Sequence, residues 1–161
     1  MSYDEKEMIA NKKMEEEFKV RINIMHERES GRPNGMIQPS LISCDAGKKE
    51  VTYEYPVLDW ELNFKDVLHG GIMSLMFDLS MGLLANYYAT GFSPTSNINV
   101  NFIKPAPKGD KLLVTARIIS VGKRLVNVYA EAYLKSSGAM AANAFGTFAV
   151  TEMTTSFYAK I

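Results

Sequence analysis

The segment that decides the fold covers residues 69–88 and reads HGGIMSLMFDLSMGLLANYY. Two glycines open a long apolar run, and Gly91 and Pro94 follow it as stop signals, so a helix is predicted over Gly70–Tyr88. Asp78 interrupts the run, and a charge near the centre of a membrane span is costly. We therefore expect a buried helix in a soluble protein, not a membrane span.

Six short strand candidates surround this helix. Two β-type runs flanking a turn precede it, and four runs with short connections follow it. The candidates are Leu41–Cys44, Val51–Val57, Thr95–Ile103, Lys111–Val121, Leu125–Leu134 and Ala139–Val150. The connection from Pro105 to Asp110 fits either a hairpin or a crossover. One long helix among these strands predicts an α+β domain in which the sheet curls to cover the helix.

The N-terminal segment is dense in charge and carries one apolar stripe. Between Asp4 and Glu29, the apolar positions that recur at helical spacing are Met14, Phe18, Ile22 and Met25. This pattern predicts an accessory helix, which the Pro- and Gly-containing stretch 31–39 ends. We therefore divide the chain into an N-terminal helix and linker, residues 1–35, and a main domain, residues 36–161.

The composition limits which partners the protein is expected to bind and in which cellular compartment it is expected to lie. The chain has 161 residues, 18 Lys plus Arg and 18 Asp plus Glu, so it lacks the net charge that would hold nucleic acid or an anionic membrane. The charged N-terminus does not resemble a secretory signal, and Cys44 is the only cysteine, so no intrachain disulfide forms. We expect a cytoplasmic protein without a metal or cofactor.

One face of the predicted helix holds a carboxylate among small residues. The positions on this face are Gly71, Ser74, Asp78, Gly82 and Ala85. Small residues also let a helix pack closely on a sheet or on a partner helix, so the glycines alone do not define a site. Because burying an unpaired carboxylate is expensive, Asp78 is the candidate catalytic residue, in a channel between apolar walls that suits a thin ligand.

The start of the helix offers hydrogen-bond donors. Gly70 and Gly71 carry N–H groups without intrahelical partners, and no Cβ keeps a ligand away from them. Such groups can polarise a carbonyl oxygen or hold an oxyanion during acyl transfer. His69 beside them fits a general base, or the packing and hydrogen-bonding residue that a lone histidine more often is.

Two more features follow the helix. Alternation along the next strand places Ser96 on the core face with Ile98 and Val100. Its hydroxyl would hold a nucleophile or a water there, or would only make a hydrogen bond within the core.

Between Lys104 and Arg124 there are six cationic residues and one acid. This is either a local basic patch for a nucleotide diphosphate or a surface with scattered lysines.

These residues form a pattern that resembles the phenylacetyl-CoA thioesterase-like (PaaI-like) branch of the 4-hydroxybenzoyl-CoA thioesterase superfamily, which has the hotdog fold. The pattern reads Asn63-x5-His69-Gly70-Gly71-x6-Asp78, with Ser96 in the next strand, and is supported by NFIKPA from Asn101, GD from Gly109, GKR from Gly122 and AFGTF from Ala144. The resemblance implies a curved antiparallel sheet wrapped around the central helix. It also implies hydrolysis of an acyl-CoA to free acid and CoA. The extra N-terminal helix departs from the shorter family pattern.

The resemblance also implies roles for individual residues. Asp78 would be the nucleophile or the general base for water, and the Gly70 N–H would polarise the thioester carbonyl. Asn63 and His69 would organise that end of the site, and Ser96 would position water. The residues that we expect to bind the CoA ester are Gly71, Lys104, Lys123 and Arg124.

Helical geometry adds an expectation about assembly. Gly70 and Asp78 lie eight residues apart, about 12 Å along the axis at 1.5 Å per residue, whereas a reacting carbonyl lies about 3 Å from both groups. One chain therefore cannot supply both groups to one site. A two-fold homodimer with antiparallel central helices would pair Gly70 of one subunit with Asp78 of the other. The resemblance agrees with shared sites, and we expect a dimer of dimers.

Two other functions fit the same sequence. A dehydratase or hydratase with the hotdog fold would need a histidine and a second acid beside the acyl chain, whereas Asp78 is the only acid on the central helix. A non-catalytic acyl-CoA-binding regulator would keep the fold without turnover. The set of site residues speaks against a regulator.

Overall fold

The computed structural model of the chain describes residues 2–89 and 92–151. The helices are α1 (Tyr3–Arg28), α2 (Pro33–Met36) and the central helix α3 (Gly70–Tyr88). The strands are β1 (Ser40–Asp45), β2 (Glu50–Pro56), β3 (Thr95–Phe102), β4 (Lys111–Val121), β5 (Leu125–Leu134) and β6 (Met140–Ala149). The α+β class is confirmed, and so are the six strand candidates. Within the described part of the chain, no helix is long and apolar enough to cross a membrane.

The six strands form one antiparallel sheet in the order β1-β2-β4-β5-β6-β3. The chain leaves β3 and enters the middle of the sheet as β4, so residues 105–110 make a crossover, which is one of the two predicted alternatives. This order leaves β3 at an edge, paired only with β6: Thr95 lies opposite Phe148, and Phe102 lies opposite Ala142.

The sheet curves around α3. Eight residues of α3 are buried: Met73, Met76, Phe77, Leu79, Ser80, Met81, Leu84 and Ala85. Each large apolar side chain buried there contributes roughly 1.5–3 kcal/mol. The hydroxyls of Tyr55 on β2 and Ser80 on α3 are 2.7 Å apart and form a buried hydrogen bond. Sheet and helix thus share one core, which fixes the position of α3 for the site described below.

The helix α1 joins this core through the predicted stripe. Met14, Phe18, Ile22 and Met25 are all buried, and the Phe18 ring lies 6.3 Å from that of Tyr53 and 5.3 Å from that of Tyr87. The stripe binds α1 to both the sheet and α3. The division of the chain at residue 35 stays a prediction.

Candidate active site

Asp78 is half-buried on α3 and opens on a cavity. One carboxylate oxygen, Oδ1, accepts a hydrogen bond of 2.6 Å from the hydroxyl of Thr95. The cavity has a volume of about 640 Å³, and both residues line it. No described residue donates to the other oxygen of Asp78. The carboxylate is therefore oriented through one oxygen, while the other is left for a ligand or a water.

Thr95, and not Ser96, is the residue of β3 whose hydroxyl contacts Asp78. The register between β3 and β6 shifts between Thr95 and Asn97, so the alternation of faces is interrupted at Ser96. Ser96 is exposed in the chain and does not face the core, contrary to the prediction. A strand pattern read with strict alternation cannot reveal such an irregularity.

His69 caps the start of α3. Its Nδ1 accepts a 2.9 Å hydrogen bond from the Gly71 N–H, and its carbonyl accepts from the N–H groups of Ile72 and Met73. A neutral His69 ring therefore carries its proton on Nε2. The Gly71 N–H, one of the groups predicted to bind substrate, is already occupied. The Gly70 N–H has no acceptor within residues 2–89 and 92–151, so it is the donor available to a carbonyl oxygen.

Gly70 also lies against the far end of β3. A Cβ placed on Gly70 would come within 3.2 Å of the Phe102 ring. Phe102 is 56% exposed, so its ring covers this part of the helix start from outside. The central helix therefore runs antiparallel to β3, with Gly70 near Phe102 and Asp78 near Thr95.

The loop before α3 brings Asn63 to the same end. The Asn63 N–H donates to the Val67 carbonyl over 2.8 Å, and the side-chain oxygen of Asn63 accepts from the Lys65 N–H over 2.8 Å. These bonds leave the NH₂ group of the Asn63 amide free to donate outward. The His69 N–H donates to the Glu61 carbonyl, which ties the base of the loop to the helix start. Asn63, His69 and Gly70 thus belong to one connected segment.

Glu61, at the base of this loop, is a buried acid that the sequence analysis missed. It is 0% exposed and ends a short 3-10 turn, Asp59–Glu61. Oε2 accepts from the Leu58 N–H over 2.9 Å, whereas Oε1 has no partner among the described residues. Burial raises the pKa of Glu61 to about 7, although the bond from Leu58 opposes the shift. An acid in a short turn is normally exposed, so no local pattern indicates this burial.

The predicted basic patch is not one patch in the folded chain. Three of its six cations form ion pairs elsewhere on the surface: Lys108 with Asp59, Lys111 with Glu54, and Arg117 with Glu50. The remaining three are exposed and lie at opposite ends of the sheet. Lys104 follows Phe102, whereas Lys123 and Arg124 form the β4–β5 turn at the end where Thr95 and Val126 both pair with Phe148. The two ends of β3 are about 23 Å apart at 3.3 Å per residue.

The candidate site residues of each chain therefore lie at two separate places, which we call candidate half-sites. The carbonyl half-site consists of Asn63, His69, Gly70 and Lys104. The carboxylate half-site consists of Asp78, Thr95, Lys123 and Arg124. The strand β4 separates the basic residues of the two half-sites, because it runs the length of the sheet between Lys104 and Lys123.

Two other chemistries find no support in the described residues. Within 2–89 and 92–151, no cluster of three His, Cys, Asp or Glu side chains is arranged to hold a metal ion. Burial raises the pKa of Cys44 to about 11, so this thiol stays protonated at neutral pH and is a poor nucleophile.

Comparison with known proteins shows which families and structures the chain is similar to. A sequence model of the Thioesterase superfamily matches residues 65–141. A putative thioesterase, a phenylacetic acid degradation-related protein from Ralstonia eutropha, is 26% identical with a TM-score of 0.67, over 80% of this chain and 98% of that one. No curated protein sequence matches.

Two further solved structures share the fold. The PaaI protein from the phenylacetic acid degradation operon of E. coli is 20% identical with a TM-score of 0.70, over 80% of this chain and 89% of that one. A Streptococcus mutans protein bound to acetyl-CoA is 24% identical with a TM-score of 0.65, over 71% and 89%. The chain thus has the hotdog fold, matches the Thioesterase superfamily over residues 65–141, and is similar to PaaI-like thioesterases.

Proposed function

We propose that the chain hydrolyses acyl-CoA thioesters in a site that two copies of the chain build together. The observation that carries this proposal is the Asp78 carboxylate, which Thr95 orients through one oxygen and which lines a cavity of about 640 Å³. The acetyl-CoA found in the Streptococcus mutans relative supports a CoA ester as the substrate.

The reaction needs a polarised carbonyl and an attacking oxygen. The Gly70 N–H donates to the thioester carbonyl and stabilises the negative charge that develops on its oxygen. Asp78 either attacks the carbonyl carbon, forming an anhydride that water hydrolyses, or takes a proton from the water that attacks. The C–S bond breaks in both routes, and the thiolate of CoA takes up a proton as it leaves. The products are the free acid and CoA.

The two half-sites make a dimer the working unit. Gly70 and Asp78 of one chain lie about 12 Å apart along α3, too far to act on one carbonyl. An antiparallel pair of chains would bring the carbonyl half-site of one to the carboxylate half-site of the other, twice. The same pairing would put Lys104 of one copy beside Lys123 and Arg124 of the other, where they would bind the phosphates of CoA.

An acyl-CoA panel with a free-thiol assay tests the activity. We expect thiol release that does not change with EDTA. The Asp78→Asn variant should lose kcat by a factor on the order of 10² or more, because the amide keeps the shape but can neither attack nor accept a proton. The matched control is Asp59→Asn, an exposed acid on the surface.

The same panel distinguishes the other two functions. Loss of enoyl-CoA absorbance without thiol release would indicate a hydratase. Binding of CoA esters without turnover would indicate a regulator. A normally folded Asp78→Asn variant with wild-type kcat would remove Asp78 from the mechanism.

A further inference from the structure

We propose that Glu61 is a positioning residue of the carbonyl half-site: its neutral side chain, buried at the base of the loop before α3, holds Asn63 and His69 in place for hydrolysis. This role rests on the proposed acyl-CoA hydrolysis and adds a residue to it. Three observations support it, namely the burial of Glu61, the unpartnered oxygen of its side chain and the bonds that join its backbone to the site.

The side chain of Glu61 is buried as a neutral acid. The residue is 0% exposed, and its Oε2 accepts a 2.9 Å hydrogen bond from the Leu58 N–H. Its Oε1 bonds to no residue in 2–89 or 92–151. An ionised Glu61 would bury a charge with a single hydrogen-bond donor, which costs far more than burying a neutral acid. Oε2 is therefore the carbonyl oxygen, and the proton belongs on Oε1.

The charges around Glu61 do not compensate an ionised side chain. The charged or titratable residues on its own turn, on the loop and helix start, on the crossover and on the end of α1 beside Trp60 are His26, Asp59, Lys65, Asp66, His69, Lys104, Lys108 and Asp110. Lys108 pairs with Asp59 over 3.0 Å, and Asp110 accepts from the Ser136 hydroxyl over 2.6 Å. Burial raises the pKa of Glu61 to about 7, the bond from Leu58 opposes the shift, and no neighbouring charge contributes.

The backbone of Glu61 ties this acid to the carbonyl half-site. Its carbonyl accepts from the His69 N–H over 2.8 Å. The next residue, Leu62, pairs with Leu68 in an antiparallel bridge, and Asn63 follows directly. A displacement of Glu61 would therefore move both sides of this small hairpin, and with them the side chains of Asn63 and His69.

Ionisation would drive such a displacement. A charged Glu61 gains by reaching water and gives up only its bond from Leu58. The hairpin would then shift relative to Gly70, and the carbonyl of the substrate would lose part of its polarising environment. Because catalysis depends on accurate placement, the rate falls when Glu61 ionises. The loss falls on kcat more than on KM, since the residues proposed to bind CoA phosphates lie outside the hairpin.

The pH profile of kcat on one good CoA ester tests this role. The Glu61→Gln side chain has the shape of the neutral acid and no charge at any pH, so the variant should keep near wild-type kcat at pH 6. Wild-type kcat should fall about tenfold from pH 6 to pH 8, around a midpoint near 7, whereas the variant stays within about twofold. His69 and Asp78 are present in both proteins, so their titrations cancel in the ratio of the two profiles.

Asp59→Asn is the matched control, because Asp59 is an acid of the same turn whose side chain lies on the surface. Its profile should follow that of wild type. Melting temperatures at pH 6 and pH 8 show that each protein stays folded. A merely structural role would lower the folded fraction and leave kcat of the folded protein unchanged.

Hydrogen exchange tests the positioning without any substrate. The N–H groups of Asn63, Leu68 and His69 are all hydrogen-bonded in the structure. After correction for intrinsic exchange rates, their protection relative to the amides of β5 should fall from pH 6 to pH 8 in wild type. It should not fall in Glu61→Gln.

The outcomes separate this role from the proposed function. A Glu61→Gln variant whose kcat falls with pH as in wild type would assign the titration to another group and overturn the inference. A folded variant that is inactive at pH 6, or hairpin protection that does not change with pH in wild type, would overturn it too. Absence of thiol release at every pH from folded protein would overturn the proposed function, and hydrogen exchange alone would then decide whether neutral Glu61 holds the hairpin.

Discussion

At the scale of single residues, the proposed chemistry depends on the contact between Thr95 and Asp78. A hydroxyl that donates to Oδ1 over 2.6 Å fixes the plane of the carboxylate and thereby directs the other oxygen. A carboxylate that acts as nucleophile or base has to be held near its reactive geometry, since small misplacements cost large factors in rate. In the proposed mechanism, Thr95 is therefore a positioning residue that acts through Asp78.

We expect Thr95→Val to lower kcat by about tenfold with little change in KM, because the isosteric side chain lacks the donor that orients Asp78. Thr95→Ser restores a hydroxyl and should restore most of the rate. Ser96→Ala is the matched control and should react as wild type, since Ser96 is exposed. Steady-state kinetics on one good CoA ester measure all three. A loss at Ser96 with none at Thr95 would contradict the register in the structure.

Much of the candidate site at this scale was predictable from the sequence. A charge inside an apolar helix singled out Asp78, and the glycine pair singled out the helix start. Thr95 was not predictable, because the register shift between Thr95 and Asn97 changes which side chain of β3 faces the helix. Glu61 was not predictable either, because burial of an acid in a turn depends on tertiary packing and leaves no local pattern.

At the scale of elements, the buried acid Glu61 in the loop before α3 makes the stability of the fold depend on pH. Burial raises its pKa from the ordinary 4.5 to about 7. The folded protein therefore holds the proton more tightly than the unfolded chain. The corresponding stability is fully present below about pH 4.5 and is lost as the pH rises through about 7.

We expect the urea midpoint of wild-type protein to fall between pH 5 and pH 8, and the Glu61→Gln variant to lose part of that slope, because its side chain is neutral at every pH. Unfolding curves at several pH values measure both. An identical slope in the two proteins would mean that Glu61 titrates in the folded state as it does in the unfolded chain.

The corner between α1 and α2 is the second feature at this scale. Gly35 of α2 is buried against the end of α1, and a Cβ added there would lie 2.1 Å from the backbone oxygen of Glu29. This close approach sets the path of the chain that carries Arg32 and Asn34 into the cavity wall. The apolar stripe of α1 was predictable from its period. The residues that α1 adds to the cavity wall were not, since they depend on how α1 is rotated on the sheet.

We expect Gly35→Ala to lower the free energy of unfolding by about 1–3 kcal/mol, because a methyl group cannot fit against fixed backbone. Gly31→Ala is the matched control: a Cβ there meets nothing within 4 Å, so stability should be unchanged or slightly higher. Urea unfolding of the two variants measures the difference. Equal stability would mean that the corner relaxes without cost.

At the scale of the whole molecule, the proposed mechanism needs a carbonyl half-site and a carboxylate half-site that lie too far apart within one chain. The helical rise already predicted that Gly70 and Asp78 cannot meet in one chain. The split of the basic residues follows from the 11 residues of β4, which carry the chain from the end of the sheet near Lys104 to the end with Lys123 and Arg124. An antiparallel dimer would join each carbonyl half-site to a carboxylate half-site, and this pairing is the central claim.

Mixing two inactive variants tests that claim directly. Asn63→Ala damages the carbonyl half-site and Asp78→Ala damages the carboxylate half-site, so each variant alone should be nearly inactive. A mixed dimer has one site with both residues intact and one with neither. Random reassortment makes about half of the dimers mixed, so co-expressed protein should regain about one quarter of wild-type activity. Mass spectrometry confirms that mixed dimers have formed. Mixed dimers as inactive as their parents would show that each chain completes its own site, and would contradict the shared site.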